Sequence, residues 1–213
     1  MLVKKFFYQF PQKTYPKGKL ILSSIQPTGK IFYLQQGLIR QYTVTPDGEE
    51  LTIHIFRPLS YFPLMLILGG VTNSYNFVTE SRTLLREAPA QEAINFLRQN
   101  PPAAFELLQR YAAALCGLSQ RLEKITTAKS KKSVSEIILY LSAKFGIRQG
   151  QAVILPTMFS HKMIASWTSL SRETVSRQIE EMQKKGLVEY RKRRLVIKNL
   201  DLMRTEDTGF LWE

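Results

Sequence analysis

Four polar residues share one face of a helix that the sequence predicts between Ser171 and about Lys185. At 100° per residue, the members of this face are Arg172, Glu173, Ser176 and Arg177. An arginine can donate two hydrogen bonds to guanine, and a glutamate can accept one from cytosine. These four side chains are therefore candidate readers of base edges in a short G·C-containing DNA sequence. An ordinary solvated Arg/Glu face is the alternative interpretation, since many surface helices carry one.

The elements around this helix predict a winged helix-turn-helix. Ser160 can cap a short preceding helix, residues 168–170 make a tight turn, and Ser171 caps the second helix. Three apolar residues form the opposite face of that helix, which must pack inside: Val175, Ile179 and Met182. Gly186 ends the helix, and two short strands follow it. Two helices across a three-residue turn, followed by a hairpin, are typical of a winged helix-turn-helix.

Hydroxyl and basic side chains around this unit are candidate phosphate contacts. A helix N-terminus favours an anion, and cations on a hairpin beside a recognition helix commonly meet the DNA backbone. The candidates are Ser160, His161, Lys162, Ser171, Thr174, Arg191, Lys192, Arg193 and Arg194. Contacts of this kind position a protein on DNA without reading its sequence.

The charge of the chain supports a polyanionic partner. It has 30 basic and 17 acidic residues, a formal net charge of +13. Residues 128–200 hold 15 of the basic residues and only 5 of the acidic ones. Such a concentration of positive charge in a small domain is typical of a nucleic-acid-binding surface. A protein that binds RNA or shapes DNA through this block without reading sequence is the alternative from a different class.

The chain has few residues that could form disulfides, metal sites or catalytic sites. Cys116 is the single cysteine, which excludes a disulfide framework and a multi-cysteine iron–sulfur site, and His54 and His161 are the only histidines for a metal. No catalytic motif stands out, so we predict that the protein is not an enzyme. No run approaches the roughly 18 apolar residues of a membrane span, and no leader is evident, so the expected location is the cytoplasm, with no membrane partner.

The segments upstream predict a sheet domain and a linking helix. In residues 1–100, short β-branched and aromatic runs alternate with turns such as Pro46-Asp47-Gly48, which favours an antiparallel jelly roll. A long helix is predicted over 101–128, and Ser133 with Glu136 forms a capping box that opens the third domain, residues 129–213. The expected class is α+β: a double-stranded β-helix, a long helix and a winged helix-turn-helix.

The long helix carries a heptad pattern. Its predicted seam consists of Leu108, Tyr111, Leu115, Leu118, Leu122 and Ile125. A 3.5-residue repeat of this kind favours self-pairing into a parallel homodimer. The alternative is a helix packed on its own sheet domain, which would show a broader apolar stripe.

These residues together resemble the CRP/FNR superfamily, the cyclic-AMP receptor protein and fumarate–nitrate regulator class of bacterial transcription regulators. The resemblance covers nearly the whole chain. It runs through residues 33–40 and 47–50, then Asn100-Pro101, and is densest at Leu170-Ser171-Arg172-Glu173-Thr174-Val175-Ser176-Arg177. It implies a cyclic-nucleotide-binding-type roll, a dimerising helix, a palindromic operator and contact with RNA polymerase. It also implies that Glu173 and Arg177 are the main base readers, tuned by Arg172 and Ser176.

The chain departs from its relatives at their phosphate-binding cassette. Members that bind cyclic AMP carry a Gly-Glu pair and an Arg-Ser pair there, whereas this chain has Tyr61-Phe62-Pro63-Leu64 and Thr72-Asn73-Ser74. Arg82 lies several residues beyond the expected arginine. We therefore predict no cyclic AMP, no iron–sulfur cluster and no haem, for which His54 would be the ligand. The roll would bind another effector or none, and a cyclic-nucleotide sensor with a rearranged cassette is the alternative.

Overall fold

Two units make up the chain, Met1–Arg121 and Leu122–Glu213. The computed structural model describes residues 2–127, 133–156, 159–168 and 170–208, and the side chains of all these except 120–127, 133 and 205–208. The predicted domain limits at residues 100 and 128 stay predictions, because the long helix contributes residues to both units.

The first unit is a pair of antiparallel sheets with flanking helices. Its elements are α1 (Leu2–Phe7), β1 (Gln12–Tyr15), β2 (Leu20–Leu22), β3 (Lys30–Gln36), β4 (Ile39–Val44), β5 (Glu50–Phe56), β6 (Tyr61–Phe62), α2 (Leu64–Leu68), β7 (Asn76–Thr79), β8 (Thr83–Pro89), α3 (Ala90–Gln99) and α4 (Pro101–Thr127). One four-stranded sheet has the order β1-β8-β3-β6 and the other β2-β7-β4-β5. We call these two sheets the β-roll, and they confirm the predicted sheet domain.

The turn between β4 and β5 has the form that its sequence predicts. Pro46 and Asp47 occupy the corner, and the amide of Gly48 donates to the carbonyl of Thr45 at 2.9 Å. Gly48 has a φ of 82°, which glycine adopts without steric cost. The register then runs from Val44 opposite Glu50 to Ile39 opposite Phe56.

The expectation that the first hundred residues form strands alone is wrong, because three helices also lie there. α1 buries Val3, Phe6 and Phe7, and α3 buries Ala93 and Leu97. Both patterns follow the helical period of 3.6 residues. In segments this short, the period is hard to separate from strand alternation in the sequence.

The core of the β-roll lies on both sides of β3. Phe32 and Leu34 face the second sheet, whereas Ile31 and Tyr33 face the helices. All four are at most 6% exposed, so β3 reads as a continuous apolar run rather than an alternating one. This strand joins the two hydrophobic clusters of the unit.

The second unit contains the predicted winged helix and additional elements. It comprises α5 (Ser133–Phe145), β9 (Ile147–Gln149), β10 (Ala152–Ile154), α6 (His161–Thr168), α7 (Arg172–Lys184), β11 (Val188–Arg191), β12 (Arg194–Ile197) and α8 (Leu200–Thr208). Its sheet has the order β11-β12-β10-β9. The hairpin β11–β12, which we call the wing, was predicted, whereas β9, β10 and α8 were not. The side chain of Ser133 and the turn residue Ser169 lie outside the described residues.

Candidate nucleic-acid interface

The recognition helix α7 is fixed by a cap and a buried face. Ser171 is its N-cap, and the Ser171 hydroxyl accepts a hydrogen bond from the amide of Thr174 at 3.1 Å. Val175 and Ile179 are fully buried and Met182 is 9% exposed. The predicted cap and packing face are both confirmed. An N-cap serine contributes about 1 kcal/mol to a helix, so the first turn, where the candidate readers begin, is held in place.

The opposite face of α7 points to solvent. Arg172, Glu173 and Arg177 are exposed, while Ser176 is partly exposed and its hydroxyl donates to Glu180 Oε1 at 3.4 Å. The structure therefore brings the four predicted base readers to one accessible face, with one of them bonded along the helix. Long charged side chains on a rigid helix can reach base edges in a major groove.

The start of α6 is tied to the wing. The Ser160 hydroxyl accepts from the amide of Met163 at 3.3 Å, which confirms the predicted cap. His161 Nε2 lies 2.7 Å from the hydroxyl of Tyr190 on β11. Burial lowers the pKa of His161, the charge of Arg172 lowers it further, and Glu180 acts in the opposite direction. His161 and Tyr190 thus join two parts of the candidate interface.

The wing turns at Lys192 and Arg193, both with left-handed backbone. Their φ angles are 48° and 62°, and Arg191 pairs with Arg194 across the turn. A two-residue hairpin turn of this kind favours Asn-Gly, because left-handed backbone costs other residues about 1–2 kcal/mol each. The chain instead places two cations at the tip, at a cost in stability.

Two residues of β11 belong to this surface although the sequence did not single them out. Glu189 forms ion pairs with Arg191 and with Lys198, the second at 3.6 Å. Tyr190 bonds His161 across 29 positions of sequence. The position of Tyr190 directly before the four basic residues was the available signal. The next three residues of the wing, Lys192, Arg193 and Arg194, are exposed.

The long helix α4 has two apolar faces. Ala103 and Leu107 are buried against the β-roll, and Tyr111 packs on the same cluster. A second face is exposed: Phe105 at 59%, Leu108 at 61%, Leu115 at 63% and Leu118 at 55%. Tyr111 is partly buried because it continues the stripe of Ala103 and Leu107 at intervals of four, and its place in the dimer seam stays a prediction. The side chains of Leu122 and Ile125 lie outside those described.

The cassette region, residues 61–64 and 72–74, is filled by the protein itself. Phe62 is fully buried and Leu64 is 1% exposed. The side-chain nitrogen Nδ2 of Asn73 donates to the backbone carbonyls of Ser23 and Tyr75, both at 2.9 Å. The polar side chain that stands near the expected arginine therefore stabilises a loop and carries no charge for a phosphate.

Aromatic rings occupy the space between the two sheets. The Phe62 ring stacks on Phe32 with centroids 5.2 Å apart and on Phe77 at 5.4 Å. Phe56 lies against Phe62 at 5.3 Å. Aromatic pairs in such offset geometries stabilise a core beyond the area they bury. The interior of the roll is a packed core around Phe62.

Arg40 is the cation closest to full burial in the described part of the roll, and carboxylates hold it. Its Nε lies 2.6 Å from Glu80 Oε1 and its Nη1 lies 2.8 Å from Glu50 Oε2. The guanidinium also lies over the ring of Tyr42, 4.4 Å from its centroid. Arg82 is exposed. The charge of Arg40 is therefore paired within the roll.

The remaining candidate ligands lie apart. His54 is exposed on β5, with its ring against Phe56 at 4.6 Å. Within the described residues, no group of three His, Cys, Asp or Glu side chains comes together to hold a metal. Among the helices described, none combines the length and the apolar character needed to cross a bilayer.

A β-roll, a long helix and a winged helix with an exposed basic surface define a DNA-binding regulator of two units. Two family models match its halves: a cyclic nucleotide-binding domain over residues 12–100 and a Crp-like helix-turn-helix domain over residues 109–206. The chain belongs to the CRP/FNR superfamily and is a transcription regulator with a helix-turn-helix DNA-binding domain.

Its relatives are similar over most of their length. A global nitrogen regulator of Nostoc sp. is 21% identical over 187 residues, which are 87% of this chain and 84% of the relative. A CRP-like cAMP-activated global transcriptional regulator of Mycobacterium tuberculosis is 23% identical over 82% of this chain and 78% of its own. The structure of FixK2 from Bradyrhizobium japonicum shares the fold, with a TM-score of 0.77 and 17% identity over 95% of this chain and 99% of that one.

Proposed function

We propose that this regulator acts in the bacterial cytoplasm as a homodimer that reads a palindromic DNA operator. The observation that carries the proposal is the outward face of α7, where Arg172, Glu173 and Arg177 are exposed on a capped and internally packed helix. A twofold dimer would place two such helices in successive major grooves, so that two half-sites would be read.

The exposed face of α4 supports the dimer. Phe105, Leu108, Leu115 and Leu118 are all more than half exposed in the protomer. Apolar residues that cluster on a surface mark a contact with another protein. A second copy of the same helix offers a matching face, as twofold symmetry requires.

We further propose that the β-roll does not bind cyclic AMP. Phe62 fills the interior, Asn73 bonds backbone carbonyls, and Arg40 is held by two carboxylates. A cyclic phosphate would therefore enter an apolar region without a cation, which costs several kcal/mol. Similar proteins respond to different signals, cAMP for the M. tuberculosis regulator and c-di-GMP for CLP of Xanthomonas campestris, so membership of the family does not select one.

Selection of bound sequences from a random duplex pool tests the proposed DNA recognition. The wild-type protein should enrich one palindrome, and Glu173→Ala should lose the preference for one base pair in each half-site while keeping its non-specific affinity. One lost base contact is worth about 1–3 kcal/mol, which is roughly 5- to 150-fold in affinity. Glu181→Ala is the matched control, because Glu181 is also an exposed glutamate of α7.

A pool without any enriched sequence would instead support a non-specific nucleic-acid-binding protein. Selection with added cell extract shows whether a small molecule is required. Equilibrium dialysis against cyclic AMP and cyclic GMP tests whether the β-roll binds a cyclic nucleotide. Micromolar binding of either nucleotide would contradict our proposal for the roll. RNA polymerase is the further partner that we propose, and run-off transcription from a promoter carrying the selected palindrome would report it.

A further inference from the structure

An open cavity of about 550 Å³ lies at one edge of the β-roll, beside the outer strands β1 and β2 of the two sheets and away from the cassette region. It is bounded by β1, β3 and β8 of one sheet and by β2 with the loop after it. Its volume falls in the range of small-molecule sites. None of residues 61–64 or 72–74 lines it.

One wall of this cavity is apolar. Leu22 and Phe32 are 7% and 6% exposed, and Leu20 remains 45% exposed at the opening. Ile21 and Pro27 extend the same wall. A ligand with a hydrocarbon or aromatic body would cover the exposed parts of Leu20, Ile21 and Pro27, at about 25 cal/mol for each Å² of apolar surface buried.

The other wall is cationic. Lys13, Lys19 and Lys30 line the cavity, and Glu87 is the single acid among its lining residues. The Glu87 side chain is only 8% exposed, and its Oε2 lies 3.0 Å from Lys13 Nζ and 3.2 Å from Lys30 Nζ. The Tyr15 hydroxyl donates to the other oxygen of Glu87. Two ammonium groups therefore pair with one buried carboxylate, and Lys19 is a third cation among the lining residues.

The protonation states of this group are fixed near neutral pH. Burial alone would raise the pKa of Glu87, but hydrogen bonds from Tyr15, Lys13 and Lys30 outweigh burial and lower it. Burial, the hydrogen bond to Glu87 and the charge of Glu87 raise the pKa of Tyr15 to about 12. The carboxylate is thus ionised and the phenol neutral, which leaves an excess of positive charge on this wall.

We propose that this cavity binds a small amphipathic organic anion, with its anionic group at Lys13, Lys19 and Lys30 and its apolar body on Leu20, Leu22 and Phe32. Lysines are flexible point charges that can pair with an anionic group in several orientations. The apolar wall would stay uncovered under a bare inorganic anion. The proposal does not depend on how the protein reads DNA.

Isothermal titration of the full-length protein with sodium octanoate tests the site. Lys19→Gln is the sharpest variant, because Lys19 lines the cavity but is not one of the groups that bond Glu87. Its octanoate affinity should fall about fivefold, the size of one partly screened charge contact. Lys17→Gln removes the same charge from an exposed residue two positions away and should leave the affinity unchanged.

Glu87→Gln gives the opposite sign. Removal of the single acid should tighten octanoate binding about fivefold, which a purely structural role of Glu87 would not produce. Circular dichroism checks that this variant folds, and if it does not, the Lys19 and Lys17 pair decides the result alone. The proposal is overturned by absence of octanoate binding, by equal affinities of the Lys19 and Lys17 variants, or by equally tight binding of inorganic phosphate.

Discussion

The two units of this regulator differ in whether their arginine side chains are bonded within the protein or exposed to solvent. In the β-roll, Arg40 is held by Glu50 and Glu80, and Arg86 donates to the carbonyl of Phe10 at 2.5 Å. In the winged helix, Arg172, Arg177 and the cations of the wing tip point to solvent. Arg40 and Arg86 thus stabilise the fold of the roll, whereas Arg172 and Arg177 of the winged helix are exposed to solvent.

This contrast explains why one family fold can serve chains with different signals. The roll can lose the phosphate cassette as long as its interior stays packed, since packing density and not charge holds it together. The winged helix cannot exchange its outer face so freely, because base recognition depends on particular hydrogen-bonding groups. The predictions below follow from this difference.

The largest effect is expected for Phe62→Ala in the roll. Phe62 is fully buried and stacks on two other rings, so its truncation should cost about 3–5 kcal/mol of the free energy of unfolding. Urea denaturation followed by far-UV circular dichroism, at one protein concentration, measures this cost. Met65→Ala, three residues further on and 64% exposed, should change it by less than about 0.5 kcal/mol. A loss below about 1 kcal/mol for Phe62→Ala would contradict a packed interior.

Leu115→Glu should separate the two protomers. A carboxylate on the exposed face of α4 would have to be buried in a dimer, and a monomer loses the advantage of two linked half-sites, about 100-fold in affinity for a palindrome. Sedimentation velocity and titration with the selected operator report both changes. Ala113→Glu adds the same charge at an exposed position about 160° around the helix from Leu115 and should leave the dimer intact. A dimeric Leu115→Glu protein with unchanged operator affinity would show that this face of α4 is not part of the dimer interface.

The sequence predicted the fold best where the pattern is local. The turn at Gly48, the caps at Ser160 and Ser171 and the buried face of α7 all depend on residues within a few positions of each other. α1 and α3 were missed because each buries only a few residues. β9 and β10 are three-residue strands with little pattern to read.

Contacts between distant residues were beyond the reach of these patterns. The link between His161 and Tyr190 spans 29 positions, and the ion pair of Lys13 with Glu87 spans 74. Heptad spacing likewise does not show that Tyr111 also packs on the hydrophobic cluster of the first unit. A periodic pattern shows that a face is apolar without showing which element covers it.

The wing offers a test in which stability and DNA affinity change in opposite directions. Lys192→Asn with Arg193→Gly relieves the left-handed backbone of both residues and should raise the free energy of unfolding by about 1 kcal/mol. The same double substitution removes two cations, so the slope of log affinity against log salt should fall by about 2. Lys17→Gln with Arg82→Gln, two exposed cations of the roll, should leave the slope unchanged. An unaltered slope in the wing variant would show that its tip does not meet phosphates.

The smallest effect is the pH dependence of the second unit, which His161 should dominate. Burial and Arg172 lower the pKa of His161 in the folded state, so the unfolded chain binds more protons below its ordinary pKa of 6.5. The stability that this residue contributes is therefore complete above about pH 6.5 and is lost as the pH falls towards the lowered value. Urea unfolding followed by tryptophan fluorescence should show a lower midpoint at pH 5.5 than at pH 7.5, and it reports this unit because Trp167 is buried there and residues 1–121 contain no tryptophan.

His161→Gln should reduce that difference between the two pH values, because glutamine keeps a polar group beside Tyr190 but does not titrate. His54→Gln, which changes the other histidine, on the roll, should leave the difference as it is in the wild-type protein. The comparison isolates a single proton-binding group, since these are the two histidines of the chain. If the two variants respond to pH alike, carboxylates of the unit cause the dependence, and the contact of His161 with Tyr190 does not couple proton binding to the stability of the wing.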